Sequence, residues 1–356
     1  MIRPSALGDV CRTVPVLASL RAAFPTARID WLVDERYVPA IASHPAFRPQ
    51  EADPGAEVGG PIPFPRTGMP VSRLVSPFSA GRVSRRLLRR LLDDLRARQA
   101  DLAVDCQGLG RSGFFAFWSR APVRVGYANA AEFAWLGLNH RVPVQRDMHT
   151  VDRMLALVES LGVPPIRDMR LYSDPQDRDS ALRLDPRIAD GPFIIVAPSS
   201  RWPGKRWPAD RYAQVIEGLI AADAAAHIAV VAAPSERDQC GPILDLARRS
   251  PRVIDLCGRT SVGQLLALVE RCAALLANDS AALHMAVGFN RPFVALFGPT
   301  RIELVGPYRR ERDVIQAFPP PRGASHKDER IGLEMMKAIP VDRVLRAMLE
   351  RVRPTA

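Results

Sequence analysis

Lysine is almost absent from this chain, although the chain is strongly basic. Of its 49 basic residues only three are lysines, Lys205, Lys327 and Lys337, and the formal net charge is +11. Where arginine has replaced lysine so widely, a lysine that remains can mark a place that needs a compact ammonium rather than a planar guanidinium. Lys205 stands in a polar loop and is the candidate for such a place, with chance survival as the alternative.

Several features that define other protein classes are also missing. The five cysteines form no C-x-x-C pair, which is typical of a reducing compartment. No apolar run is long enough to span a bilayer, and no signal peptide is predicted. The basic charge comes without zinc-ligand spacing or an RNA-binding motif, so an anionic small molecule or a membrane surface is favoured over nucleic acid. These absences predict a cytoplasmic protein with no nucleic-acid partner.

Two classes of ligand are disfavoured by motifs that do not occur. No G-x-G-x-x-G follows the first predicted strand, which counts against a nicotinamide or flavin enzyme. No D-x-D pair stands in a metal-ligand context in either of the polar loops described below. The sequence therefore predicts neither a metal ion nor another cofactor.

The second half of the chain alternates apolar strands with helical runs. Strands are predicted over residues 193–197, 228–232, 253–256, 273–277 and 293–297. Such repeated βα units imply a parallel sheet covered by helices on both faces. The first half shows the same alternation less clearly, with an irregular Pro- and Gly-rich stretch over residues 44–80 and a loop over 107–113.

The length of 356 residues predicts two domains. We expect an α/β protein of two Rossmann-like, doubly wound domains facing a central cleft. The domains would span residues 1–170 and 171–340, and a helix in 341–356 would pack back across them. At the amino end, Met1-Ile2-Arg3-Pro4 is too short for a full first strand, and Pro4 cannot donate to a ladder.

Two polar segments follow predicted strands in the second half. The first runs from Ser199 to Lys205, and the second is Asn278-Asp279-Ser280, which opens a helix carrying His284. Backbone amides and the helix dipole at such a helix start attract anions, and ligands of open α/β sheets bind at the carboxyl ends of strands. An ordinary βαβ unit with a helix cap is the alternative interpretation.

Five short motifs occur in a fixed order along the chain: Ser5-Ala6-Leu7-Gly8-Asp9-Val10, Asp105-Cys106-Gln107-Gly108-Leu109, Lys205-Arg206-Trp207-Pro208, Asp279-Ser280-Ala281-Ala282-Leu283-His284-Met285-Ala286, and Phe297-Gly298-Pro299-Thr300. Together they resemble glycosyltransferase family 9, the ADP-heptose:lipopolysaccharide heptosyltransferases, and within it the heptosyltransferase I branch. The resemblance runs over nearly the whole chain. It implies the GT-B architecture and inverting, metal-independent transfer of heptose from ADP-heptose to a Kdo–lipid A type acceptor.

The resemblance also implies roles for single residues. Asp9 would be the general base, and a helix N-cap is its alternative role. Lys205 would stabilise the departing diphosphate. The donor would be bound by Lys205 and by further residues of the two polar segments, of the helix start and of the loop after the next strand: Ser199, Ser200, Glu236, Asp279, Ser280, Ala281, Ala282 and His284. For Glu236 the alternative is a first-turn helix acid, and for His284 it is an ordinary buried histidine.

The acceptor would be a lipid-linked anionic saccharide at the inner leaflet of the inner membrane. Its candidate ligands are Arg66, Arg73, Gln107 and Arg111. The basic amphipathic helix predicted over residues 81–99 could contact anionic headgroups or be an ordinary solvated face.

The chain departs from the family pattern at two positions. Ala281 replaces a frequent glycine, and Ala131 stands where the heptosyltransferase I pattern has an arginine that would pair with an acidic sugar. A heptosyltransferase II-like enzyme, another glycosyltransferase of the family, and a non-catalytic nucleotide-sugar-binding protein remain alternatives.

Overall fold

The computed structural model describes residues 1–49, 57–65, 82–225, 227–321 and 328–352. Residues 82–85 are described by their backbone only. The chain divides into two compact units, Met1–Met169 and Arg170–Ala356. Arg66 and Arg73 lie outside the described residues. The assignment of acceptor binding to the first unit and donor binding to the second stays a prediction.

The first unit is built from five short parallel strands and four helices within its described part. In chain order these are α1 (Leu7–Ala23), β1 (Asp30–Asp34), β2 (Gly60–Phe64), α2 (Arg82–Ala97), β3 (Leu102–Asp105), α3 (Gly110–Trp118), β4 (Val123–Tyr127), β5 (His140–Val142) and α4 (Thr150–Glu159). β1 pairs with β2, and β3, β4 and β5 form a separate ladder. Short 3-10 turns at Glu35–Ala40, Pro45–Phe47 and Ala134–Gly137 complete it.

The first four residues join these two ladders. The amide of Ile2 donates to the carbonyl of Val104 at 2.8 Å, and the amide of Leu32 donates to Met1 at 2.9 Å. Pro4 needs no N–H here because it contributes only its carbonyl, which accepts from Asp34 at 3.0 Å. The spatial order is therefore β2, β1, residues 1–4, β3, β4, β5, which is the strand order of the complete Rossmann fold. The expectation that the segment is too short for a full strand is consistent with its single bridging residue, Ile2.

The second unit contains one six-stranded, wholly parallel sheet in the order β11-β10-β9-β6-β7-β8. Its elements are α5 (Pro175–Leu182), β6 (Phe193–Ala197), α6 (Ala209–Ala221), β7 (His227–Val230), α7 (Gly241–Arg249), β8 (Val253–Asp255), α8 (Val262–Arg271), β9 (Ala274–Asn278), α9 (Ala281–Gly288), β10 (Phe293–Phe297), α10 (Ile302–Val305), β11 (Val314–Gln316), α11 (Glu329–Lys337) and α12 (Val341–Val352). The chain order reverses between β6 and β9, which are neighbours in the sheet. That reversal is the point where open α/β sheets bind ligands.

The expected strands of the second unit are confirmed to within about two residues at each end, because each contains a run of buried apolar residues. The loop expected over residues 107–113 is wrong in its second half, since α3 begins at Gly110. The stretch over 44–80 contains β2, whose two prolines are tolerated in an edge strand. The terminal helix α12 packs on α6, β9 and β10, and its packing across both domains stays a prediction.

Helices long and apolar enough to cross a bilayer do not occur among the described residues. Each unit instead buries apolar strand and helix faces in its own core. In the second unit this core includes Ile194, Val196, Leu276, Val294 and Leu296 on the central strands.

Candidate active-site residues

Asp9 lies in the first turn of α1, directly after the short first strand. Its carboxylate accepts a hydrogen bond from the amide of Ala6 at 3.1 Å. The N-cap residue is Ala6 and Asp9 is the third residue of the helix, so Asp9 supports the helix start from inside the first turn and the predicted N-cap position is wrong. The same carboxylate is clamped between two arginines: Arg3 approaches one oxygen at 3.1 Å, and Arg12 binds the other. The side chain of Asp9 nevertheless keeps 26% of its surface exposed.

The two arginines decide the charge of Asp9. Burial works to raise the pKa of the carboxyl group, but the charges of Arg3 and Arg12, together with the hydrogen bonds from Ala6 and Arg12, outweigh it and lower the pKa well below its usual value. Asp9 is therefore ionised across the neutral range. It can accept a proton, although a carboxylate with so low a pKa is a weak base.

Gln107 meets the Asp9 loop at the strand-order reversal of the first unit. Its side-chain oxygen accepts from the amide of Ser5 at 3.4 Å. The loop that carries Gln107 is held by Asp105, whose buried carboxylate accepts from the amides of Gln107 and Gly108 at 2.9 and 3.0 Å. Arg111, on α3, stacks over the ring of Phe64 at 5.5 Å.

A G-x-G-x-x-G run does occur at residues 108–113, after β3 rather than after the first strand. It does not form a dinucleotide cradle. The start of α3 is occupied by the Glu132 carboxylate, which accepts from the amide of Gly110 at 3.1 Å. A Cβ atom on Gly113 would collide with the backbone of Ala134, so this glycine serves helix packing.

Lys205 and Asp279 meet at the strand-order reversal of the second unit. Lys205 ends a 3-10 turn in the loop after β6, and Asp279 directly follows β9. The ammonium nitrogen lies 2.6 Å from a carboxylate oxygen, and the two side chains are only 14% and 11% exposed. The sequence placed these two residues in separate motifs, and the parallel pairing of β6 with β9 brings them together.

Asn278 is the residue that orders this loop; the sequence reasoning included it in the polar segment after the strand but gave it no such role. Its side chain is fully buried at the end of β9. The side-chain oxygen accepts from the amide of Trp207 at 3.3 Å and from the hydroxyl of Tyr212 at 2.8 Å, and the side-chain nitrogen donates to Pro198 at 2.6 Å. A buried side-chain amide must have partners for its donors and acceptors. The signal available in the sequence was therefore an asparagine at the end of an apolar strand.

Ser199 and Ser200 contact the 3-10 segment Pro234–Cys240 after β7. The hydroxyl of Ser199 donates to Glu236 at 2.7 Å, and the amide of Ser200 donates to the side chain of Gln239 at 3.2 Å. Glu236 is half-buried and keeps acceptor capacity beyond the serine. The structure thus unites Ser199 and Glu236, while Gln239 was missed.

The start of α9 follows Asp279 directly. Ser280 is the N-cap residue but makes no side-chain cap, so the expected polar cap is wrong in this detail. The first amides of α9, at Ala281 and Ala282, have no acceptor within the helix by geometry and carry the positive end of its dipole. His284 is buried one turn further along. An anion beside Asp279 and Lys205 could accept from these amides.

Comparisons with known proteins identify the family of this chain. The profile of glycosyltransferase family 9 (heptosyltransferase) matches residues 88–331. Lipooligosaccharide heptosyltransferase 2 of Haemophilus ducreyi is 27% identical over 334 residues, covering 89% of this chain and 87% of that protein. Lipopolysaccharide heptosyltransferase 1 of Pseudomonas aeruginosa is 25% identical over 327 residues, covering 88% and 81%. Relatives of both types match, so the likeness to heptosyltransferase I in particular stays a prediction.

A solved structure shows the same fold. The structure of Escherichia coli ADP-heptose lps heptosyltransferase II superimposes with a TM-score of 0.73 at 20% identity, covering 99% of this chain and 97% of that chain. The predicted GT-B fold class is therefore confirmed. Because the family profile covers more than half of the chain, this protein belongs to glycosyltransferase family 9, the heptosyltransferase family, and is a glycosyltransferase.

Proposed function

We propose that this enzyme transfers a heptose from ADP-heptose to a lipopolysaccharide inner-core acceptor of the Kdo–lipid A type, with inversion and without a metal ion. One observation carries the proposal. In a chain of family 9, the Lys205–Asp279 pair and the first amides of α9 converge at the strand-order reversal of the second unit. Relatives described as heptosyltransferases and a solved structure described as an ADP-heptose lps heptosyltransferase II support the choice of donor.

The chemistry is a single displacement at the anomeric carbon. Asp9 removes the proton from an acceptor hydroxyl. The oxygen of that hydroxyl attacks the anomeric carbon from the face opposite the diphosphate. The bond between the carbon and the β-phosphate oxygen breaks, and its electron pair leaves with ADP. Lys205 and the α9 amides stabilise the charge that grows on the diphosphate. One displacement inverts the configuration at the carbon.

Donor recognition follows from the same loops. Glu236 accepts from a ribose diol while Ser199 keeps its carboxylate oriented. Asp279 accepts from heptose hydroxyls and holds Lys205 in place. His284 lies beside the sugar, and Ala281 in place of glycine moves the phosphate slightly away from the backbone. Gln107 and Arg111, with Arg66 and Arg73, contact the saccharide acceptor.

The donor can be tested directly. We expect ADP-heptose to bind and hydrolyse in preference to UDP- and GDP-sugars, measured by calorimetry and nucleotide release. Glu236→Gln keeps the shape of the side chain but removes its charge, so it should weaken donor binding roughly tenfold. Gln239→Glu is the matched control, because it makes the opposite exchange on the same 3-10 segment. Equal binding of all three nucleotide-sugars would contradict the proposed donor.

The acceptor prediction concerns Ala131. This exposed residue donates its amide to Gly108 at 3.0 Å, so it lies against the Gln107 loop. An arginine at this position could form a bidentate pair with an acidic sugar. We expect Ala131→Arg to raise the affinity for a Kdo-bearing acceptor about tenfold or more without changing donor affinity.

Titration of both ligands against the parent and the variant measures this effect. Ala131→Gln, which is long and polar but neutral, is the matched control. An unchanged acceptor affinity in Ala131→Arg would mean that the acidic group binds elsewhere or that the acceptor is not acidic there.

We further propose a cytoplasmic enzyme that associates peripherally with the inner membrane. The helix α2 buries Leu91, Leu92 and Leu95 and exposes Arg86 and Arg89, which suits contact with anionic headgroups.

A heptosyltransferase II-like specificity is the second candidate function, since type 2 relatives match at similar identity.

A further inference from the structure

The first unit carries a cluster of exposed apolar side chains that its proposed chemistry does not use. Phe117, Phe133 and Leu136 are 58%, 72% and 63% exposed. Phe114 and Val123 are exposed as well. Contiguous exposed apolar surface on a protein marks a binding site for a protein, a ligand or a membrane.

These side chains come from two segments that touch backbone to backbone. A Cβ atom on Gly113, in α3, would collide with Ala134, and one on Gly137 would collide with Gly113. Large side chains therefore cannot enter the contact between α3 and the 3-10 turn Ala134–Gly137. The inner face of α3 is already committed, because Phe115 packs edge-on against Phe64 with ring centroids 5.5 Å apart. Trp118 and Trp135 are half-buried, while Phe114, Phe117 and Phe133 remain exposed.

The charges around this cluster are predominantly positive. Residues 107–146 contain five arginines but a single acid, Glu132, whose carboxylate accepts from the start of α3. Two of the neighbouring arginines stack on indole rings: Arg141 lies 4.8 Å from the centroid of Trp135, and Arg96 lies 4.5 Å from that of Trp118. Aromatic side chains flanked by cations match the interface between anionic headgroups and acyl chains.

We infer that this surface, formed by Phe114, Phe117, Phe133 and Leu136 and called here the aromatic ridge, inserts into an anionic phospholipid bilayer. The inference rests on the proposed function, because a lipid-linked acceptor is presented at a membrane. In this arrangement α3 and the segment around the turn Ala134–Gly137 contact the acyl chains. The helix α2 then contributes only an electrostatic contact with the headgroups. α3 begins at the Gln107 loop, so insertion of the ridge would hold that loop at headgroup level.

Vesicle flotation of the full chain tests the inference. We expect the parent to bind vesicles of phosphatidylethanolamine and phosphatidylglycerol and to bind neutral phosphatidylcholine vesicles weakly. Removing two inserted side chains with the double change Phe133→Ser and Leu136→Ser should lower partitioning by about tenfold or more. Phe24→Ser is the matched control, since Phe24 is also in the first unit and 43% exposed, and it should leave partitioning unchanged.

Further measurements separate the possible outcomes. Unchanged melting temperatures of the variants are expected, because the side chains are exposed. Transfer to a water-soluble, acyl-free acceptor should be equal in the parent and the double variant. The inference is overturned, and the proposed function stands, if this transfer is present but the parent does not bind anionic vesicles. The same conclusion follows if the double variant binds the vesicles as well as the parent does.

The proposed function fails if neither the parent nor a variant transfers sugar. If the double variant still binds vesicles more weakly than the parent in that case, the inferred membrane contact of the aromatic ridge stands. Concentration-dependent dimerisation of the parent that the double variant loses, without vesicle binding, would make the ridge a protein interface and overturn the inference.

Discussion

Asp9→Asn should bind donor as the parent does and transfer sugar at least about a hundredfold more slowly, which is the effect expected for loss of a general base. Asparagine keeps the shape of the side chain and its acceptor for the amide of Ala6, but it cannot take a proton. The measurement is kcat with a saturating acceptor, together with the Kd for ADP-heptose. Transfer near the parent rate would show that Asp9 only caps α1.

Asp9→Asn also removes the counter-charge of two arginines, so structural damage must be separated from lost chemistry. Leaving Arg3 and Arg12 without their carboxylate should cost about 1–3 kcal/mol of unfolding free energy. Arg12→Gln is the matched control, because it opens the same clamp and keeps the carboxylate. If the loss of turnover in Asp9→Asn is chemical, Arg12→Gln should be comparably destabilised but remain active.

The pH dependence of these variants follows from the direction of the pKa shift. Because the pKa of Asp9 is lowered in the folded protein, the clamp contributes its full stability above the pKa of an unfolded aspartate, about 3.9, and loses it as the pH falls further. The acid limb that Asp9 imposes on kcat/KM should accordingly lie below about pH 4. In Arg12→Gln one of the lowering charges is gone, so the acid limb should move to higher pH.

The sequence predicts the strands of the second unit well and its site geometry poorly, for a physical reason. Fully buried strands such as Phe193–Ala197 and Phe293–Phe297 are continuous apolar runs, and their bounds are local information. The contact between Lys205 and Asp279 depends on strand order, since 74 residues separate them along the chain. Strand order is a property of the whole sheet and has no local pattern.

The first unit was harder to predict because its elements are short and lack a clean period. β5 has three residues, β2 contains two prolines, and the first strand reduces to one residue, Ile2, which bridges to both neighbouring strands. The aromatic residues of α3 were equally uninformative, because Phe114 and Phe115 are neighbours in the sequence, yet one is exposed and the other buried. The backbone contact at Gly113 and Gly137 decides which aromatic residues face solvent, and it appears only in three dimensions.

Lys205→Ala should reduce transfer by roughly a hundredfold or more, the effect of removing one preorganised group that stabilises charge in a transition state. The ammonium lies at the reversal of strand order, within a loop that Asn278 holds to β9. It can therefore meet a diphosphate without reorganisation of the loop. If Lys205 acts mainly on the charge that develops during bond breaking, kcat should fall more than the affinity for ADP.

Lys205→Arg should restore the transfer activity only in part, although it restores the charge. The loop that carries Lys205 is closely packed, because a Cβ atom on Gly332 would collide with the backbone of Gly204, and the ion pair to Asp279 is only 2.6 Å long. A guanidinium is longer and planar, and it spreads its charge over a fork that would displace Asp279 or the phosphate. Lys337→Arg is the matched control, since Lys337 is exposed on α11 of the same unit and should tolerate the exchange. Full activity of Lys205→Arg would contradict the requirement for a compact ammonium, and the survival of this lysine among 46 arginines would then have no functional cause.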